Sequence, residues 1–160
     1  GFFHPLKQSR ALEILEAVGL TAIYGLKSVD LSRLPPEDHD SQVLLARYSP
    51  PDRIVLYEQR RPPWQFIGKL SDSTRELFVR SGATIQLNED GSASTVEWPG
   101  DSLVNLMIFE GLLHEVGHHV MQHESRAGSR RIVRTKDHEA FANTFAARCR
   151  IELLDHGGSD

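Results

Sequence analysis

The chain has 160 residues, enough for one domain with a sizeable core, and its formal net charge of -4 argues against wholesale nucleic-acid binding. Its single cysteine, Cys149, excludes an internal disulfide. No apolar run approaches the roughly 18 residues that a membrane span needs.

One free thiol fits a reducing compartment, so a cytoplasmic protein without membrane association is expected. No signal-peptide pattern opens the chain. It starts at Gly1 rather than Met, which leaves a preceding targeting segment open. Nothing in the sequence specifies an oligomeric state.

Residues 1–8, with Pro5, read as an extended lead-in. Leu12, Leu15 and Val18 recur at helical spacing, so Ser9 to Val18 is predicted helical, with Gly19 as its stop. Partial alternation with β-branched residues predicts one strand between Leu20 and Leu34, ending before Pro35-Pro36. Glu37-Asp38-His39-Asp40 is an acidic, solvated turn. Gln42–Tyr48 and Arg53–Glu58 are short apolar runs joined by Ser49-Pro50-Pro51-Asp52, which predicts neighbouring strands with a tight connection. Arg60 to Trp64 reads as a loop, its Trp64 either closing over the core or lining a groove.

Ser73-Thr74-Arg75-Glu76 has capping-box spacing and opens a short helix to about Arg80, ended by Gly82. Ala83–Leu87 and Ser92–Trp98 are predicted strands around the turn Asn88-Glu89-Asp90-Gly91. Pro99-Gly100-Asp101 then breaks the sheet and caps the next helix.

That helix carries Leu103, Leu106, Met107, Ile108, Phe109, Leu112, Leu113, Val116, Val120 and Met121, which cover most of its circumference. A helix apolar almost all round is buried. Within it, His114-Glu115-Val116-Gly117-His118 is an H-E-x-x-H. Positions i and i+4 share a face, so His114 and His118 can aim two imidazoles at one metal ion. Glu115 lies about 100° round the helix, free to take a proton from metal-bound water. Histidines placed there by accident would be buried without partners, at a cost of several kcal/mol; a metal removes that cost. His119 and His123 form a second i, i+4 pair with no glutamate after the first histidine. They are expected to be satisfied or solvent-facing.

Catalytic zinc takes three protein ligands and keeps a fourth position for water. A metzincin continuation would need Gly and His where the chain has Met121 and Glu124, so it fails. The candidate third ligand is Glu139, in a predicted helix with Thr135 as N-cap and an end near Leu154, before His156-Gly157-Gly158. Asn143, one turn on, is placed to accept the spare ring N–H of a ligand histidine, His114 above all. His138 could replace Glu139 in a three-histidine site; the Asn143 spacing favours Glu139. Cys149 falls roughly 80° off the Glu139 face and reads as a small buried residue.

His114-Glu115-x-x-His118 followed by Glu139-x-x-Ala142-Asn143-x-Phe145-Ala146 resembles the gluzincin zinc metallopeptidases, closest to the ImmA/IrrE-like peptidases and the very small gluzincins. The resemblance spans about 106–150. It implies Zn²⁺ held by His114, His118 and Glu139, with Glu115 as catalytic base. Peptide deformylases also use H-E-x-x-H, but with an upstream cysteine, whereas Cys149 lies downstream.

The expected fold is α+β and zincin-like over residues 1–160 as one domain. A twisted, mostly antiparallel or mixed sheet packs on the buried H-E-x-x-H helix, followed by a second metal-bearing helix. The expected function is zinc-dependent hydrolysis of peptide bonds in a peptide or protein substrate; the alternative is a proteolytically inactive, metal-stabilised binding or regulatory module. His119, His123, His138, Tyr48 and Tyr57 are chemically able to stabilise the oxyanion, and the sequence does not choose among them. Strand Ser92–Trp98 is the candidate substrate edge. The connection 124–135, with Arg126, Arg130, Arg131 and Arg134, is either a basic rim facing substrate or a solvated loop.

Overall fold

A computed structural model describes residues 1–36, 43–127 and 135–157; for 124–127, 135–138 and 155–157 it describes the backbone only. The acidic turn from Glu37 and the basic stretch 128–134 lie outside the described residues.

The first helix, α1 (Gln8–Val18), forms as expected but buries Ala11, Ile14 and Leu15; of the residues whose spacing predicts it, Leu15 is buried and Leu12 is exposed. Gly19 ends it with φ +108, a conformation glycine adopts without a Cβ clash. The following apolar run is not one long strand. Leu20–Ile23 is a helical turn, α2, and the strand β2 is confined to Ser28–Ser32. Short apolar runs do not reveal their period, and here tertiary contact of α2 with the helix that carries the H-E-x-x-H decides.

Strands β3 (Ala46–Ser49) and β4 (Arg53–Tyr57) form the expected hairpin. β2 adds to β4 in parallel, giving a mixed sheet of order β2-β4-β3. β5 (Gln59–Arg60) pairs instead with the N-terminal β1 (Phe2–Phe3). The chain then starts a second sheet: β6 (Trp64–Ile67), β7 (Thr84–Leu87) and β8 (Ala93–Glu97), all antiparallel in the order β6-β8-β7. Among the described residues, then, one continuous sheet is replaced by two three-stranded sheets and a ribbon. Pro62-Pro63 lacks the N–H groups that would carry the ladder onward.

Trp64 therefore begins a strand rather than sitting in a loop. It is buried among Phe78 and Trp98, with ring centroids 5.7 and 5.0 Å away, and its indole N–H donates to Arg60 O at 2.7 Å. Helix α3 (Asp72–Ser81) starts two residues earlier than the capping-box spacing suggests. The N-cap is Ser71, whose Oγ accepts the Thr74 N–H at 3.3 Å. Gly82 closes the helix in the left-handed conformation, φ +105.

The centre of the molecule is one nearly continuous helical rod: α4 (Ser102–Leu106), a π-helical segment (Met107–Leu112) and α5 (Leu113–Ala127). Asp101 occupies its N-cap position without a side-chain bond. Leu103, Leu106–Phe109, Leu112, Leu113 and Val116 are all buried, as the encircling apolar pattern predicts. Val29, Ala46, Ile54 and Leu56 of the first sheet join their cluster. That sheet's other face is covered by a smaller cluster of Leu34, Val55 and Tyr57.

Helix α6 (Thr135–Gly157) packs along α5 through Ala142, Phe145, Ala146 and Cys149. Cys149 is a free, buried thiol. The fold is thus mixed α+β, with the sheets and α6 enclosing the rod. Among the described residues no helix is long and apolar enough to cross a membrane.

Candidate metal centre

Helix α5 puts His114 and His118 one turn apart, their ring centroids separated by 5.0 Å. Helix α6 brings Glu139 between them. Glu139 Oε2 lies 3.3 Å from His114 Nε2, and Oε1 lies 2.9 Å from His118 Nε2. The donor atoms of all three lie within 4.8 Å of one another. Donors at about 2.0–2.1 Å from a tetrahedral zinc are roughly 3.3 Å apart, so the nitrogen–oxygen spacings fit such an ion. The chemistry fits too: two borderline nitrogen donors and one carboxylate, with a position left over. The histidines are largely buried, while half of the Glu139 side chain remains exposed (52%) on the open side.

The approach of the two helices depends on Gly117. A Cβ there would stand 2.7 Å from Ala142 Cα and 3.2 Å from Ala142 O. The fourth residue of H-E-x-x-H is therefore where α6 crosses α5, three residues from Glu139.

Glu115 flanks this donor set without joining it. Its Oε2 accepts the backbone N–H of Tyr48 at 2.8 Å. Burial pushes its carboxyl up from the ordinary 4.5 to about 7, and the Glu139 charge adds to this; the Tyr48 N–H and the Arg47 charge pull the other way. A cavity of about 310 Å³ opens here, with Glu115, His118 and Glu139 on one wall and Ala46, Arg47 and Tyr48 of β3 on the other.

Among the described residues β3 has a single neighbour, which makes it an edge strand there. Tyr57 N donates to Leu45 O at 3.0 Å, which makes 45↔57 a hydrogen-bonded pair. By antiparallel alternation the backbone groups of Ala46 and Tyr48 point away from β4, towards the cavity. The sequence-based candidate, Ser92–Trp98, is corrected: β8 is the middle strand of its sheet, with both sides paired. Strand order is a non-local property that strand patterning does not encode.

The second histidine pair is placed elsewhere. His119 is completely buried, Nε2 facing Tyr24 O at 2.8 Å and Nδ1 facing the Tyr48 hydroxyl at 3.0 Å. His123 packs edge-on to Tyr24, with centroids 5.4 Å apart. Neither reaches the Glu139 triad. Tyr57 is buried in the small cluster on the far face of the first sheet. The side chain of His138 lies outside the described residues.

Asn143 is the clearest correction. It is exposed and lines a different cavity of about 620 Å³, between α3, the π segment and α6; among the described residues it makes no bond to either ligand histidine. The buried face of α6 is centred on Ala142, Phe145, Ala146 and Cys149. At about 100° per residue, Asn143 lies roughly 110° from that centre. Glu139 sits on the flank, and only its long side chain brings it to the histidines. Spacing relative to Glu139 misled because Glu139 itself is off-centre.

The Tyr48 backbone N–H is the functional group that sequence reasoning missed. No side-chain pattern marks a main-chain donor; its only signal is a strand whose neighbour across the gap is the H-E-x-x-H helix. No family model, curated protein or solved structure matches this chain.

Proposed function

We propose that the chain is a zinc-dependent peptidase of the gluzincin kind, with a zincin-like fold, acting in the cytoplasm on a peptide or protein substrate. The observation that supports this most is a His–His–Glu donor set, two of whose members, His118 and Glu139, share one cavity with the buried carboxylate of Glu115 and the edge of β3. His114, His118 and Glu139 hold the metal. When bound, zinc supplies an acidified water and a Lewis acid for the scissile carbonyl.

The rest is performed by the chain. Beside a dication Glu115 is ionised at neutral pH, the state a base needs. With Oε2 held by Tyr48, Oε1 accepts the proton of the attacking water. The same carboxyl then delivers that proton to the leaving amine as the C–N bond breaks. The substrate lies extended along β3, making main-chain hydrogen bonds with Ala46 and with the carbonyl of Tyr48, whose N–H stays on Glu115. A metal-stabilised binding module would need the three ligands but not the base.

Zinc analysis of wild type, His118→Ala and Glu139→Gln tests the donor set. One zinc per chain in the wild type and loss or weakening in both variants is expected; full occupancy in both variants refutes the assignment. Turnover of a susceptible peptide by the zinc-loaded wild type separates the peptidase from the binding module.

A further inference from the structure

Tyr48 is held at both ends. Its N–H donates to Glu115 Oε2 at 2.8 Å, and its hydroxyl lies 2.7 Å from Pro51 O and 3.0 Å from His119 Nδ1, which accepts the hydroxyl proton when Nε2 carries the ring hydrogen. The other nitrogen of His119 donates to Tyr24 O at 2.8 Å. One fully buried imidazole therefore ties together α5, the β3–β4 turn and the segment after α2. That segment fits closely: a Cβ on Gly25 would stand 2.6 Å from the His123 ring.

An edge strand is secured by ladder hydrogen bonds on one side only. The position of β3 against α5 is then set by contacts across the gap, and Tyr48 supplies two of them. The ring nitrogens of a buried histidine resist losing their partners, since an unpaired buried polar group costs about 1–3 kcal/mol. His119 follows His118 by one residue, so its ring projects about 100° away from the ligand face.

Resting on the peptidase role of Glu115, we infer that His119 is a positioning residue: through the Tyr48 hydroxyl it fixes the edge strand so that the Tyr48 N–H grips one oxygen of Glu115 and leaves the other free as the base. His119 touches neither metal nor substrate. Tyr48 is thereby committed to Glu115 and His119 rather than to an oxyanion.

The test uses the zinc-loaded full chain. His119→Asn sets an amide near the Nδ1 position and can keep the Tyr48 contact. His119→Gln sets one near Nε2 and keeps only the Tyr24 contact. Tyr48→Phe removes the hydroxyl and retains the N–H. Hydrogen exchange at the Tyr48 amide reports the bond to Glu115 directly, and Glu115→Ala gives its unprotected limit. Expected are faster Tyr48 exchange and a kcat lowered about tenfold, the scale of one lost hydrogen bond, in His119→Gln and Tyr48→Phe. Zinc affinity and KM stay within about twofold on the same reasoning, and His119→Asn retains most of the rate. Wild-type amide protection and kcat in both His119→Gln and Tyr48→Phe overturn the inference, as does rescue by Gln but not by Asn. Should the histidine variants fail to fold, Tyr48→Phe alone decides. If the wild type cleaves no peptide while Tyr48 protection still depends on His119, the clamp stands and the peptidase role fails.

Discussion

Gly117→Ala is the most informative single change, because it adds one carbon at the helix crossing and touches no ligand. The new Cβ would stand 2.7 Å from Ala142 Cα, against an ordinary carbon–carbon contact of about 3.5–4.0 Å. The helices must part by roughly 1 Å, and the obstructing atom is backbone, so no rotamer change relieves it. Overpacking of this kind costs about 1–3 kcal/mol. Replacing a helical glycine by alanine returns about 0.8–1.0 kcal/mol. The net expectation is a loss of about 0–2 kcal/mol in the metal-free protein. The larger effect falls on the metal, because Glu139 lies three residues from the crossing and metal–ligand distances tolerate about 0.2 Å. Zinc affinity should drop about 10–100-fold, the range seen when groups that orient ligands are disturbed. Competition against a chromophoric chelator measures the affinity, and urea melts measure the stability. Ala142→Gly should not rescue, since the nearest atom is Cα. Unchanged zinc affinity together with a gain of about 1 kcal/mol, as helix propensity alone dictates, would refute the crossing argument.

Glu115→Gln should bind zinc normally and lower kcat about 10²–10⁴-fold, the usual share of a general base; near-normal turnover of a peptide excludes Glu115 from that role. The metal-free protein should lose stability as pH rises from 4.5 towards 7, because a carboxyl whose folded value is raised binds more protons folded than unfolded across that window. The upper bound is about 3 kcal/mol. Urea melts in chelator should show this slope in the wild type and not in Glu115→Gln, and equal slopes would remove Glu115 as its source. Ser71→Ala should cost about 0.5–2 kcal/mol as a lost N-cap, whereas Ser73→Ala should be near neutral; the reverse order in thermal melts would restore Ser73 as the cap.

Local patterns carried much of this protein. The i, i+4 repeat alone puts His114 and His118 on one face, and the encircling leucines alone dictate that their helix is buried. Turn residues at 49–52 and 88–91 place both hairpins, since proline, asparagine and glycine restrict the backbone wherever they occur. Glu139 was legible as a carboxylate on a following helix, but not the way it reaches the histidines from the flank of α6. That depends on where two helices cross, which Gly117 and Ala142 settle by allowing the closest approach. The same crossing turns Asn143 away, although its spacing from Glu139 is right. Strand order separates β3, an open edge beside Glu115, from β8, a central strand, and two strands of similar local pattern can occupy either place. The Tyr48 N–H and the buried His119 follow from that order. Helical and strand periods are short-range and written in neighbouring residues, whereas edges, crossings and main-chain donors arise only when segments far apart in the chain come to share a surface.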